Sequence, residues 1–197
     1  MKKFLVLMLV FFVSLSSVAL AAKKPVKIAR IPIIIQKIQI DNSTALALEV
    51  KMARSVMVPM NDTFKTVDYI PPLEAKENLN KIWHKMYTKN KDAEMSDAVK
   101  KFAKEMDADL VICPILRHYS QQTNAINDEF KSRLKSEVSA ELIIYDRTKD
   151  ELIQKKEKRN FNNNYSKYGT ASHLAFECFD QLINDTGLRK LVFSKRG

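Results

Sequence analysis

The chain has 197 residues, 46% of them hydrophobic, and 33 Lys and Arg against 23 Asp and Glu give it a net charge of +10. That is enough length and apolar content for one domain with a core, while a total of three glycines argues against a glycine-rich phosphate loop. The basic excess favours anionic contacts by long-range attraction, or does no more than keep the chain soluble.

The first 21 residues read as an export signal. Lys2 and Lys3 precede an unbroken apolar run from Phe4 to Val13, and Ser14, Ser16, Ser17 and Ala19-Leu20-Ala21 follow. A positive start, an apolar middle and a small-x-small end are what signal peptidase cuts, here near Ala21. The competing reading is a retained anchor, but the run is short for a spanning helix. Residues 22–197 are then a single α/β domain with an extracytoplasmic location, periplasmic or secreted. No Cys follows the apolar run, so the lipid-anchored form of such a signal is absent. Without Lys2 and Lys3, 31 basic residues face 23 acidic ones, an excess of eight. In that compartment the expected partners are an envelope protein, an anionic envelope polymer or, for peripheral membrane contact, phospholipid headgroups. Nucleic acid is not expected there.

Val26 to Ile40 carries seven isoleucines, and this β-branched density suits a strand that bends or has an edge at Pro32. Asp41-Asn42-Ser43 is a turn and helix cap. Thr44 to Met57 reads as a helix with Leu46, Val50, Ala53 and Met57 on its inner face. Phe64 to Ile70 is a strand, and Pro72 opens a helix with Ala75, Leu79, Ile82 and Met86 inside. Ser96 is placed to cap a helix whose Val99, Phe102, Ala103 and Met106 share one face. Leu110 to Cys113 is apolar without alternation, as a strand covered on both faces is. Polar Arg117 to Glu129 reads as a loop. Val138 to Tyr145 alternates, Asp146 to Asp150 turns, and Leu152 to Phe161 returns as a charged edge strand. Asn162-Asn163-Asn164 reads as a linker. The last long helix, Ser166 to Asp185, carries Ala171, Leu174, Ala175, Cys178 and Leu182 inside and stops at Gly187. Leu191 to Phe193 reads as a short terminal strand. The order β-α-β-α-α-β-β-β-α predicts a mixed sheet of about five strands with helices packed on it.

No motif announces chemistry. His84, His118 and His173 offer no i, i+3 or i+4 pair for a metal, there is no G-x-S-x-G elbow, and there is no C-x-x-C. No cofactor is expected. Asp107 and Asp109 read better as partners for loose turn donors than as a catalytic pair. Two binding candidates remain. Arg117, His118 and Tyr119 follow the central strand, where α/β sheets often place a crevice; the plainer reading is an ordinary loop. Lys155, Lys156, Lys158 and Arg159 suit an anionic polymer, but alternation splits them between two faces, as on a solvated edge. Cys113 and Cys178 are candidates for a disulfide or, as readily, two buried free thiols.

Ala103 to Leu116 (AKEMDADLVICPIL) resembles the helix, Ala-Asp, apolar-strand step of a group of bacterial envelope proteins: the amino-terminal domain of the TolB translocation protein, the curli-secretion-type lipoproteins and the lipoprotein activators of penicillin-binding proteins. Asp146 to Asp150 stands where that group has a turn of the form Asp-x-x-Thr-Gly, without the glycine. The resemblance implies an anticodon-binding-domain-like α/β fold and a non-catalytic role in docking, assembly or regulation, with no site residue to carry over. The expectation is an envelope interaction module that is not an enzyme. The alternative is a small envelope hydrolase or ligand-binding enzyme with a crevice near His118, where a convergent carboxylate would be needed.

Overall fold

A computed structural model describes residues 24–36, 38–125 and 132–195. The expected signal segment, residues 1–21, lies outside the described residues, as does the end of the expected loop, residues 126–129. β1 (Val26–Arg30) stops two residues before Pro32, and a two-residue β2 (Ile34–Ile35) resumes beyond it. Proline has no N–H to give a ladder, which is why the isoleucine-rich stretch breaks there. Next come α1 (Asn42–Val56), the one-turn α2 (Asn61–Phe64), β3 (Val67–Ile70), α3 (Pro72–Lys89) and α4 (Met95–Glu105). Three long strands follow: β4 (Leu110–Ala125), β5 (Ser132–Asp146) and β6 (Glu151–Asn164). A 3-10 turn at Lys167–Gly169, α5 (Ala171–Asp185) and α6 (Leu188–Ser194) complete the described chain.

The strands form one mixed six-stranded sheet in the order β3-β1-β4-β5-β6, with β2 beside β4. β1 runs parallel to β3 and β4, whereas β4, β5 and β6 are antiparallel. Both faces are covered. Leu110 and Ile112 join Leu48, Met52, Cys178 and Val192 in one cluster, so α1, α5 and α6 lie on that face. Val111, Cys113 and Ile115 join Leu79, Ile82, Val99 and Phe102 in the other, so α3 and α4 lie opposite. Period-two alternation sends neighbours on one strand to opposite cores. Leu110 to Cys113 has no exposed surface, as its apolar run implied.

Several elements differ from expectation. Arg117 to Ala125 is not a loop: it continues β4, paired with β5 as far as Ala125↔Ser132. Its side chains are polar because the stretch is only partly covered: Tyr119 still packs on the core beneath α1 and α5, whereas Gln121 to Asn124 are exposed. Asn162 to Asn164 is likewise the end of β6, opposite Arg133 to Lys135, rather than a linker. Leu191 to Phe193 lies in a helix. Leu188 and Val192 are both buried in the α1–α5 cluster, and residues four apart share a side of a helix. The strand expected from Phe64 begins only at Val67, because residues 61–64 form α2. Ser96 does not cap α4, which starts one residue earlier; its hydroxyl donates to Glu94 at 3.1 Å. Asp150 takes the left-handed φ of 52° where the resemblance leads one to expect glycine, and its carboxylate accepts from Tyr145 Oη at 2.6 Å. A short polar side chain is among the few besides glycine that tolerate that conformation.

Candidate functional site

The largest disagreement between pattern and structure lies on α1. Leu46 and Met57 are 66% and 63% exposed, and Val50 is 41% exposed, although the spacing placed all three inside. The buried side consists of Thr44, Leu48, Met52, Ser55 and Val56. Polar contacts hold the helix in this rotation. Glu49 accepts from Arg30 Nη1 at 2.6 Å and from the Ile33 amide. At the other end Tyr69 Oη accepts from the Val58 amide at 3.0 Å and donates to the Val56 carbonyl at 2.8 Å. Asp41 caps the start, accepting from the Thr44 amide at 2.7 Å and the Ser43 hydroxyl at 2.5 Å. Those donors hold its carboxyl down at about 2.

The exposed stripe is continuous with two grooves. One, of about 670 Å³, lies against α5 and α6 and is lined by Leu46, Val50, Lys51, Arg54, Phe176 and Arg189, among others. The second, of about 340 Å³, runs between the end of α1 and β3, past Val50, Ala53, Met57, Tyr69 and Pro72. Apolar floors and cationic rims characterise both. Lys51 is committed to Asp180 at 2.6 Å and Arg30 to Glu49. Among the described residues, Arg54 and Arg189 carry no ion pair.

The residues singled out in the sequence are only partly brought together. A register shift in β4 between Leu116 and His118 makes Arg117 a bulge residue, and bulges re-aim side chains. Arg117 thereby reaches Glu141, a carboxylate with no exposed surface, donating from Nε at 2.7 Å and also from Nη2. Gln154 Nε2 donates to the same carboxylate at 2.5 Å, and Lys156 Nζ stands 3.9 Å away. Arg117 and Lys156 line a polar pocket with Gln36, Trp83, Glu94 and Gln154. His118 and Tyr119 do not line it. His118 sits within β4, not past its end, and is exposed with its Nε2 3.1 Å from the Ser120 hydroxyl. Tyr119 packs on the opposite face, against the α1–α5 cluster, and burial pushes its phenol up. The basic run divides as alternation implied: Lys158 pairs with Glu137 at 2.7 Å, while Arg159 pairs with Glu157 at 2.8 Å.

Glu141 escaped the sequence reading, although the signal was present: an acid on the same strand face as Ile143 and Tyr145. Asp109 serves the turn, accepting from the Lys27 amide at 2.9 Å and from Arg147 at 2.8 Å. Among the described residues no group of His, Cys, Asp and Glu is placed to hold a metal, and no helix is long and apolar enough to cross a membrane. Cys113 and Cys178 are both free and buried. They cannot bond, because Cys113 belongs to the α3–α4 face of the sheet and Cys178 to the α1–α5 face. Burial pushes both thiols up to about 12.

No protein-family model and no curated protein matches this chain. Solved structures similar to it include a lipoprotein from Neisseria meningitidis, 14% identical with a TM-score of 0.37, covering 81% of this chain and 99% of that one. A hypothetical protein from Chlamydia trachomatis is 10% identical with a TM-score of 0.42, covering 82% of this chain and 95% of its own. The LpoB C-terminal domain from Salmonella enterica is 6% identical with a TM-score of 0.31, over 72% of this chain and 88% of that domain.

Proposed function

We propose that the protein is an exported, non-catalytic docking module of the cell envelope, and that the outer face of α1 receives its partner. The observation that carries this is the exposure of Leu46 and Val50 on a helix whose other side is buried, with exposed Met57 at its C-cap. Contiguous apolar surface of this kind, rimmed by charge, is what interaction sites present. The rim selects the partner's chemistry. Arg54 and Arg189 call for an amphipathic helix with an apolar ridge and flanking carboxylates, which steer the encounter and set its register. The export pattern read in residues 1–21 supports an envelope protein as the bearer of that helix. An anionic polymer is less well supported, since Lys158 is already paired with Glu137 and Lys156 lies near Glu141.

The test is a photo-crosslinker at position 50 of the full chain, activated in intact envelopes and recovered at low and high salt. The expected product is one envelope protein, joined through an acid-flanked helix at both salts and lost in the Leu46→Glu variant. Products containing only a second copy of this chain, only polymer, or nothing would overturn the reading.

A further inference from the structure

On the side of the sheet away from α1, the pocket above Glu141 has the make-up of a small-molecule site. We propose that it binds a single neutral sugar ring. Its volume of about 290 Å³ falls just below the range of drug-sized ligand pockets, which begins at about 300 Å³, and suits one ring rather than a chain. One wall is Trp83, the only tryptophan of the protein, its indole stacked on Tyr87 with ring centroids 5.6 Å apart. An indole is a flat apolar surface that matches the C–H face of a pyranose. Beside Ala93, Met95 and Lys156, the lining carries the planar hydrogen-bonding groups of Gln36, Glu94, Arg117 and Gln154, which match ring hydroxyls because these both donate and accept.

The hydrogen-bonding groups are held in place before any ligand arrives. Arg117 is delivered by the β4 bulge and fixed by Glu141 through Nε and Nη2, while its Nη1 donates to Gln36 Oε1 at 2.9 Å. Of the five N–H bonds of a guanidinium, two remain for a ligand. The Gln154 amide donates to Glu141 with one N–H and keeps its oxygen and its second N–H. Such preorganisation lowers the ordering cost of binding.

Charge decides against an anion. Arg117 and Lys156 are balanced by Glu141, beneath the floor, and Glu94, on the rim. A phosphate or carboxylate would find no surplus positive charge, whereas a neutral polyol loses nothing by this balance. The proposal does not depend on the α1 face, which lies across the sheet and can be tested separately.

With a single tryptophan, intrinsic fluorescence reports on this pocket alone. The full mature chain is titrated with glucose, N-acetylglucosamine, glucuronate and inorganic phosphate. The expected result is a saturable change in Trp83 emission with at least one neutral sugar, none with phosphate, and no tighter binding of glucuronate than of glucose. Gln154 is exposed but donates to the buried Glu141, so the fold of Gln154→Ala is checked by its melting curve; the variant weakens binding about tenfold, the loss of roughly one good hydrogen bond. A response to the anions alone, no response at all, or an unchanged response in both Gln154→Ala and Gln36→Ala would overturn the proposal.

Discussion

The Glu141 carboxylate has no exposed surface, and Arg117 of the neighbouring strand donates to it from Nε at 2.7 Å and from Nη2. A buried ion pair is weak evidence for stability as a whole, yet removing one member leaves the other charge stranded. Arg117→Ala, which strands the unexposed Glu141 carboxylate, should therefore cost about 3 kcal/mol in urea unfolding. Replacing the pair together, with Glu141→Leu and Arg117→Met, should be close to neutral. If Arg117→Ala were as stable as the parent, the pair would not be the buried contact described.

The rotation of α1 is open to a direct test with two leucines. Leu48 is 1% exposed and Leu46 is 66% exposed. Truncating a buried leucine leaves a cavity and costs about 3 kcal/mol, whereas an exposed one changes stability by roughly 0.5 kcal/mol or less. Leu48→Ala should lower the denaturation midpoint clearly and Leu46→Ala barely. The opposite order would restore the face expected from spacing alone.

Two thiols raised to about 12 by burial stay protonated at pH 8, and it is the thiolate that reacts. Native protein should resist a thiol-specific chromogenic reagent, while both Cys113 and Cys178 should titrate in denaturant. Melting temperatures with and without reductant should agree. A fall in melting temperature on reduction would show a disulfide that the two-faced placement forbids.

Asp41 links pH to the start of α1. Its carboxyl is held at about 2, below the ordinary 3.8, by the Ser43 hydroxyl and the Thr44 amide. A lowered carboxylate stabilises the fold fully above its unfolded value, and that stability is lost as pH falls through the folded one. The window is therefore pH 4 to 2, and solvent at this exposed site screens the effect. Asp41→Ala should cost about 1 kcal/mol at pH 7, as for other helix caps, and should flatten the pH dependence within that window. An unchanged acid limb would remove Asp41 as its source.

The legible parts of the fold were those where local pattern allowed one answer. The apolar run at Leu110 to Cys113 could only be covered on both faces, and Ala171, Leu174, Ala175, Cys178 and Leu182 form one stripe in the structure as in the spacing. The turn from Asp146 to Asp150 was also readable as a polar stretch between two strand patterns, and Asp150 takes the positive φ there although it is not glycine. α1 was not readable in the same way. Leu46, Val50, Ala53 and Met57 make one apolar stripe, and Leu48, Met52 and Val56 make a second at equally good spacing. Periodicity cannot choose between two stripes on one helix; Glu49, bound to Arg30 and Ile33, makes the choice.

The same division runs through the candidate sites. By itself the sequence determined a basic chain with an export pattern, the mixed α/β order, a charged edge strand, and the lack of familiar catalytic motifs. These depend on composition, on short-range spacing and on backbone preferences that each segment carries with it. Tertiary structure alone decided that Arg117 meets Glu141, that His118 lies within a strand, that Cys113 and Cys178 face opposite cores, and that α1 turns an apolar face to solvent. Each of these depends on register between strands or on the rotation of a helix against the sheet. Contacts between residues distant along the chain set both, and a one-residue shift in strand register exchanges the two faces.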